Sequence, residues 1–404
     1  MGPTSSAAGT ITDDWCRQSF DHLSAEVAAD LPAALARMRS LCPVARSEQY
    51  GGFWVVTKYD DVLRVAQDWE NFSSAHGLTV PVAPIAVRNL PVEVDPPIHR
   101  VYKRLINAYF TPAAVQPWED ATRQLATGLI DKFIGSGQCE FMADFARQYP
   151  ALSFFDFALD APAEDIEKVA YLASKSSIPN DPEAAACWAG LSEWIATFVE
   201  LRRRQPRRAD VVDGVLSAEI DGRPITEEEI VGIIQLLILG GLETTAGALG
   251  LMMIRFCTQP EIPALLRARP DAIPAAVEEL LRLDGPFVAI ARTATRDTEV
   301  DGHRIKAGEK VIIYWASADR DQAEFPDPDV FHLDRANNRH LAFGAGPHRC
   351  AGSNLARMNI RIALEELLPR LQDLRLQDGA GIHYHATFTR APLAVPITFS
   401  PTLA

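Results

Sequence analysis

One run constrains this chain more than any other. From Ile230 to Ile254 the only strongly polar side chains are Gln235, Glu243, Thr244 and Thr245. Length alone would admit a transmembrane span. The flanks argue otherwise, because Arg255 is the only adjacent basic residue and "TEEE" (Thr226 to Glu229) precedes the run. Thr226 with Glu229 forms a capping box, and Gln259-Pro260 closes the far end. The spacing predicts one helix of roughly 30 residues, or ~45 Å at 1.5 Å per residue. A helix apolar on every side must run through the body of the protein.

The middle of that helix breaks its own rule. "LILGGLETTAGALG" (Leu237 to Gly250) sets Gly240, Gly241, Glu243 and Thr244 inside an apolar run. Each glycine weakens a helix by ~1 kcal/mol against alanine. A buried carboxylate costs several kcal/mol more unless it is paired, solvated or protonated. Glu243 and Thr244 lie about 100° apart on a regular helix, so they address one site only if the helix is distorted. A bond from Thr244 back to the Gly240 carbonyl would favour such a bulge. The alternative is a packing notch of small residues.

Composition narrows the class. The chain has 404 residues, 48% hydrophobic and 23% charged, a globular balance with material for a sizeable core. The net charge of −14 argues against a nucleic-acid binder. "LRRRQPRR" (Leu201 to Arg208) reads as a solvated helix end and loop. Six cysteines without a C-x-x-C pair, and no secretory h-region, predict a reduced cytoplasmic enzyme. No repeat or low-complexity linker divides the chain, which reads as a single domain over 1–404 with a short flexible tail at about 1–12.

The rest of the pattern is mainly α with a small β portion. "GGFWVVTKYDDVLRVAQD" reads as strand then helix. His76 to Pro97 holds five prolines and little periodicity, the mark of a long functional loop. Helix dominates from Pro97 to about Thr258, and "PDAIPAAVEELLRLDGP" adds another. "RTATRDTEVDGHRIKAGEKVIIYW" alternates like short strands. A last helix follows Cys350 before the tail returns to strand.

The strongest chemical signal is "FGAGPHRCAG" (Phe343 to Gly352). Its glycines permit a tight backbone approach around one cysteine that then opens a helix. There a thiolate gains from the helix N-terminus and from Arg349. Taken alone, Cys350 reads first as a buried structural thiol. The missing Gly-Lys-Ser/Thr ending excludes a phosphate loop. Zinc is disfavoured because no second pair has ligand spacing.

F-G-x-G-x-H-x-C-x-G resembles the haem loop of the cytochrome P450 monooxygenases. Three further strings agree in kind and order: "GGLETT", the E-x-x-R of "EELLR" (Glu279, Arg282), and "FPDPDVFHLDR" ending in Arg335. The similarity runs from about Asp60 to the C-terminus and is greatest to bacterial soluble members, the branch of camphor hydroxylase. It implies the cytochrome P450 fold, with a long central helix over haem b, and Cys350 as axial ligand of the iron, packed by Phe343. Glu279, Arg282 and Arg335 would form a buried structural network. His99, Lys103, Arg292 and His348 would hold the haem propionates. Lysine at 103 departs from the arginine usual in relatives, so Arg104 would compensate or the contact weaken.

The resemblance further implies O2 activation, with Thr244 holding a proton-delivery network, Glu243 linking it to solvent and Gly240 giving room. This chain would bind no flavin or nicotinamide, so a separate ferredoxin and ferredoxin reductase would supply electrons. Arg104, Arg349, Arg357 and Arg361 are candidates for the docking patch. Val82, Ile85, Leu239, Val288, Ile290 and Phe388 would line a pocket for a small to medium hydrophobic substrate, terpenoid, aromatic or steroid-like. The enzyme would be a monomer without nucleic-acid or membrane partners. The rival readings are a peroxide-driven peroxygenase and a non-catalytic haem-based ligand-binding protein.

Overall fold

The computed structural model describes residues 15, 20–83, 87–176, 182–386 and 388–402. The expected tail at about 1–12 lies outside them. Six helices matter for the site: α1 (Ile98–Asn107), α2 (Glu119–Phe133), α3 (Ala184–Arg204), α4 (Glu227–Thr258), α5 (Ile273–Asp284) and α6 (Ser353–Arg370). α4 is the apolar run, and its ends fall where the caps put them. Thr226 Oγ1 accepts from the Glu229 N–H at 3.3 Å, and the Glu229 carboxylate accepts from the Thr226 N–H at 2.7 Å. Most of its residues are buried, and its apolar side chains join those of α2, α3, α5 and α6 in the largest hydrophobic cluster. Among the described residues, the one helix long and apolar enough to cross a membrane is thus the core helix.

The β portion is small. Apart from three short two-stranded hairpins, its strands are β1 (Val44–Ser47), β2 (Phe53–Val56), β3 (Phe72–Ser73), β4 (Gln138–Glu140), β5 (Ala289–Ala294), β6 (Lys310–Tyr314), β7 (Leu371–Leu376) and β8 (Pro396–Pro401). The larger sheet runs β1-β2-β6-β5-β3, and its only parallel pair is β2 with β6. Two apolar clusters lie against it, one with Phe72, Ile290 and Trp315, the other with Phe53, Val288 and Phe388. Strand β5 is buried along its whole length. That burial brings Arg292 into the interior.

Three expectations are corrected. α4 is continuous α-helix from Glu227 to Thr258, although the Thr244 hydroxyl does donate to the Gly240 carbonyl at 3.0 Å. One such bond leaves the backbone ladder intact. In "LRRRQPRR", Arg202 is not solvated: it is buried, donates to the Leu159 carbonyl at 2.6 Å and pairs with Asp210 at 2.6 Å. Cys42 is disulfide-bonded, against the all-thiol expectation.

Glu279 and Arg282 on α5 are 0% and 1% exposed, so theirs is no surface pair. Arg282 donates to both Glu279 oxygens at 2.9 and 2.8 Å, and Arg335 Nε reaches the same carboxylate at 2.9 Å. The remaining Arg282 donor binds the carbonyls of Asp319 and Pro328 at 2.8 and 2.7 Å. Removing one partner of a buried pair strands the other charge at a cost of about 3–5 kcal/mol. Glu279→Ala should therefore lower unfolding stability by about that much, read from urea denaturation.

The Asp319 carboxyl accepts from the Leu341 N–H at 2.5 Å. Burial pushes it up to about 7 from 3.8. A raised folded value means an extra proton is held by the native state between about pH 4 and 7; the stability it lends is full below that window and lost as pH rises through it. Asp319→Asn keeps an acceptor but cannot ionise. Its urea midpoint, relative to the unsubstituted protein, should rise as pH is taken from about 4 to about 8.

Candidate active site

The cysteine loop is shaped by its glycines. Gly344 and Gly346 sit at φ +68° and +67°, in the left-handed region. A Cβ on Gly346 would lie 2.6 Å from the Ala66 carbonyl, so the loop can press on the helix Tyr59–Gln67 only with glycine there. The Cys350 N–H donates to the Phe343 carbonyl at 2.8 Å, closing the loop. α6 begins at Ser353, three residues beyond the cysteine. The Arg357 guanidinium lies over the Phe343 ring at 4.4 Å.

The Cys350 thiol is solvent-accessible, yet burial raises its pKa. The two observations agree if the sulfur lines an internal recess rather than the outer surface. Lys103, the Gly352 N–H, Arg349 and Arg357 act in the opposite sense and favour the thiolate.

The two glycines of α4 do different work. A Cβ at Gly241 would meet the Phe154 ring at 2.8 Å, whereas at Gly240 it would meet nothing within 4 Å. Gly241 is the packing notch, and Gly240 leaves room. Glu243 and Thr244 are partly exposed, unlike Leu242 and Thr245 beside them. Glu243 has no hydrogen bond or ion pair among the described residues.

Next to the cysteine loop, the His99 and His348 rings stand 4.3 Å apart. His348 Nε2 is 3.2 Å from Ser74 Oγ, and both Nδ1 atoms are buried without a partner. Burial pushes His99 down to about 4 and His348 to about 2, so both are neutral at pH 7. Arg292 is 2% exposed, and among the described residues its guanidinium donates only to the adjacent Ala291 carbonyl, at 2.9 Å. Burial pushes it down to about 10, with Asp95 pulling weakly the other way. Asp95 is itself engaged by the Ser73 hydroxyl and the Ser74 N–H. Ser74 and Asp95 escaped the sequence reading, although "DPPIH" set Asp95 four residues before His99. Lys103 donates to the Arg349 carbonyl at 2.6 Å, while exposed Arg104 turns back to Arg100.

Buried cationic and imidazole donors without an anion, beside an accessible thiol, fit a prosthetic group that bears carboxylates and takes a sulfur ligand. Haem meets that description.

Of the expected pocket residues, Val288, Ile290 and Phe388 are buried and Leu239 is partly buried against the main core. Val82 is 51% exposed and lies against Gly77. Ile85 lies outside the described residues. No sequence pattern pointed to His22, whose Nε2 lies 2.7 Å from the Val80 carbonyl and whose ring packs on Phe388 at 5.7 Å. That ring ties the N-terminal segment to the proline-rich loop.

Comparison with known proteins is consistent with this geometry. Residues 176–377 match the family model for cytochrome P450. The chain is 34% identical to nocardicin C N-oxygenase of Nocardia uniformis subsp. tsuyamanensis, over 92% of this chain and 96% of that protein. It is 32% identical to steroid C26-monooxygenase of Mycolicibacterium smegmatis, over 90% and 92%. The crystal structure of CYP101J2 superposes with a TM-score of 0.85 at 29% identity, covering 98% of this chain and all of that one. The chain belongs to the cytochrome P450 family and is a haem monooxygenase of that family.

Proposed function

We propose that this chain is a haem-thiolate monooxygenase that inserts one oxygen atom of O2 into a small to medium hydrophobic substrate. The observation that carries the reading is the Cys350 thiol, accessible in a glycine-shaped loop beside the unpaired donors of Arg292, His99 and His348. Haem b, when bound, supplies iron whose thiolate ligation favours O–O cleavage. Cys350 supplies the thiolate. Arg292, His99 and His348 hold the propionates, and Arg292 would recover the charge interaction that its burial withholds.

On the other side, Gly240 gives space and Thr244 offers a hydroxyl whose proton is lent to the Gly240 carbonyl. Glu243, partly exposed and unpaired among the described residues, links that hydroxyl to water. A hydroxyl and a carboxylate on adjacent residues form a proton route, which a peroxide-driven enzyme does not need; this favours the monooxygenase.

Val288, Ile290, Phe388 and Leu239 supply apolar walls, which suits a terpenoid, aromatic or steroid-like compound. Relatives of near-equal identity are named for a steroid and for an N-oxygenation, so identity alone does not choose the substrate. Electrons come from a ferredoxin and its reductase. Arg357 is neutralised by Glu278, and Arg361 by Glu119 and Glu365, which leaves exposed Arg100, Arg104 and Arg349 as the docking charges for an acidic partner. The enzyme would act as a soluble cytoplasmic monomer, its long apolar helix being spent on the core.

Reduced protein under carbon monoxide should show the red-shifted Soret band of thiolate ligation, and Cys350→Ala should lose it. A normal band in that variant would overturn the assignment. With a reconstituted ferredoxin system and a substrate found by its ferric Soret shift, Thr244→Ala should keep that shift and consume NADH. Product per NADH should fall at least several-fold, with peroxide making up the difference. Unchanged coupling would remove Thr244 from the proton route.

A further inference from the structure

Family resemblance puts a propionate-binding base at position 103, and the structure gives that side chain another partner. Lys103 Nζ donates to the Arg349 carbonyl, the peptide group immediately before Cys350, at 2.6 Å. The same short loop is pinned internally by two backbone bonds, Arg349 N–H to the Gly346 carbonyl at 3.2 Å and Cys350 N–H to the Phe343 carbonyl at 2.8 Å. The Lys103 bond ties it to α1, beside the packing of the His348 ring on His99. Arg104, the other basic candidate, is exposed and bonds within its own helix to the Arg100 carbonyl at 3.4 Å.

Resting on the haem-thiolate reading above, we propose that Lys103 is a positioning residue for the axial thiolate, clamping the Arg349–Cys350 peptide and placing a positive charge beside the sulfur. Lysine suits this place better than arginine would. An ammonium is a compact point donor that fits one carbonyl, whereas a guanidinium spreads five donors over a fork suited to a carboxylate. The ammonium is also partly removed from water, and its burial is countered first by Cys350. Half-buried and close to the sulfur, such a cation is screened less than a fully exposed surface charge. Arg292 and His99, assigned above to the carboxylates, are more deeply buried than Lys103.

The electrostatic consequence has a definite sign. Reduction of the ferric thiolate complex adds one negative charge, which a nearby cation stabilises. Lys103 therefore raises the midpoint potential. Lys103→Met, which removes charge and donor, and Lys103→Gln, which keeps a donor without charge, should both shift the ferric/ferrous midpoint to more negative values, Met by more. Lys103→Arg should stay nearest the unsubstituted enzyme. Carbon monoxide adducts of Lys103→Met should lose the thiolate Soret band faster on standing, because the loop has lost its clamp. The rate at which haem passes to excess apomyoglobin should change less than twofold.

The measurements are spectroelectrochemical titration, the time course of the adduct spectrum, and haem transfer, all on purified holoenzyme. An unchanged midpoint in both Met and Gln variants overturns the proposal. So does markedly faster haem transfer with a stable adduct band, the signature of a lost propionate contact. Failure of the underlying reading looks different: the unsubstituted enzyme itself would then lack the thiolate band. Should Lys103→Met fold poorly, Lys103→Gln against Lys103→Arg still reads the charge at constant hydrogen-bonding capacity, and equal midpoints there count against it.

Discussion

A single buried carboxylate holds together the part of this chain that has the least regular structure. Between the turn at Asp319 and the start of α6, the backbone forms only turns and a short 3-10 segment, and it cannot satisfy its own polar groups. Glu279 fixes two guanidiniums, and those spend their other donors on the carbonyls of Asp319, Pro326 and Pro328. Asp319 in turn takes the Leu341 N–H, Leu341 takes the Gly344 N–H, and Phe343 takes the Cys350 N–H. The position of the sulfur thus descends from α5 through consecutive hydrogen bonds. Rigid helix lends its order to a loop that has none.

Local rules made much of this visible in advance. The capping box set the start of α4, Gln259-Pro260 set its end, and E-x-x-R at i, i+3 put both side chains on one face. The strings around Cys350 pointed to the family because their residue types are tied to one chemistry. What stayed hidden depended on partners far along the chain. No local pattern says that Gly241 faces Phe154, or that Arg357 is claimed by Glu278. Arg202 looked solvated because its neighbours in sequence are arginines, yet its helix turns it alone into the core beside Leu159 and Asp210.

The same distinction explains the middle of α4. Two adjacent glycines looked like one device, and they are two. Gly241 accepts an aromatic ring from the preceding helical layer and so fixes where the helix lies. Gly240 accepts nothing from the protein. Had both been notches, Thr244 and Glu243 would face packed side chains; had both been open, the helix would lack its tightest contact there. An unbroken helix can then present a hydroxyl and a carboxylate to one recess without a bulge, provided each reaches it from its own side of the strip that Gly240 leaves free.

Arg292 shows what the site costs the fold. Strand β5 is buried on both faces, and a guanidinium there has given up water for one bond to a neighbouring carbonyl. Burial of an uncompensated charge opposes folding, and the lowered value of about 10 for Arg292 records that opposition. Two desolvated imidazoles with orphan nitrogens add to it. A sequence selected for stability alone would place apolar residues at all three positions. An anionic group bound there converts each unfavourable burial into a charge-assisted contact, so binding and folding are coupled through the same three side chains. The protein is then expected to gain rigidity where β5, α1 and the cysteine loop meet. That junction is where Lys103 also fastens α1 to the peptide before the sulfur.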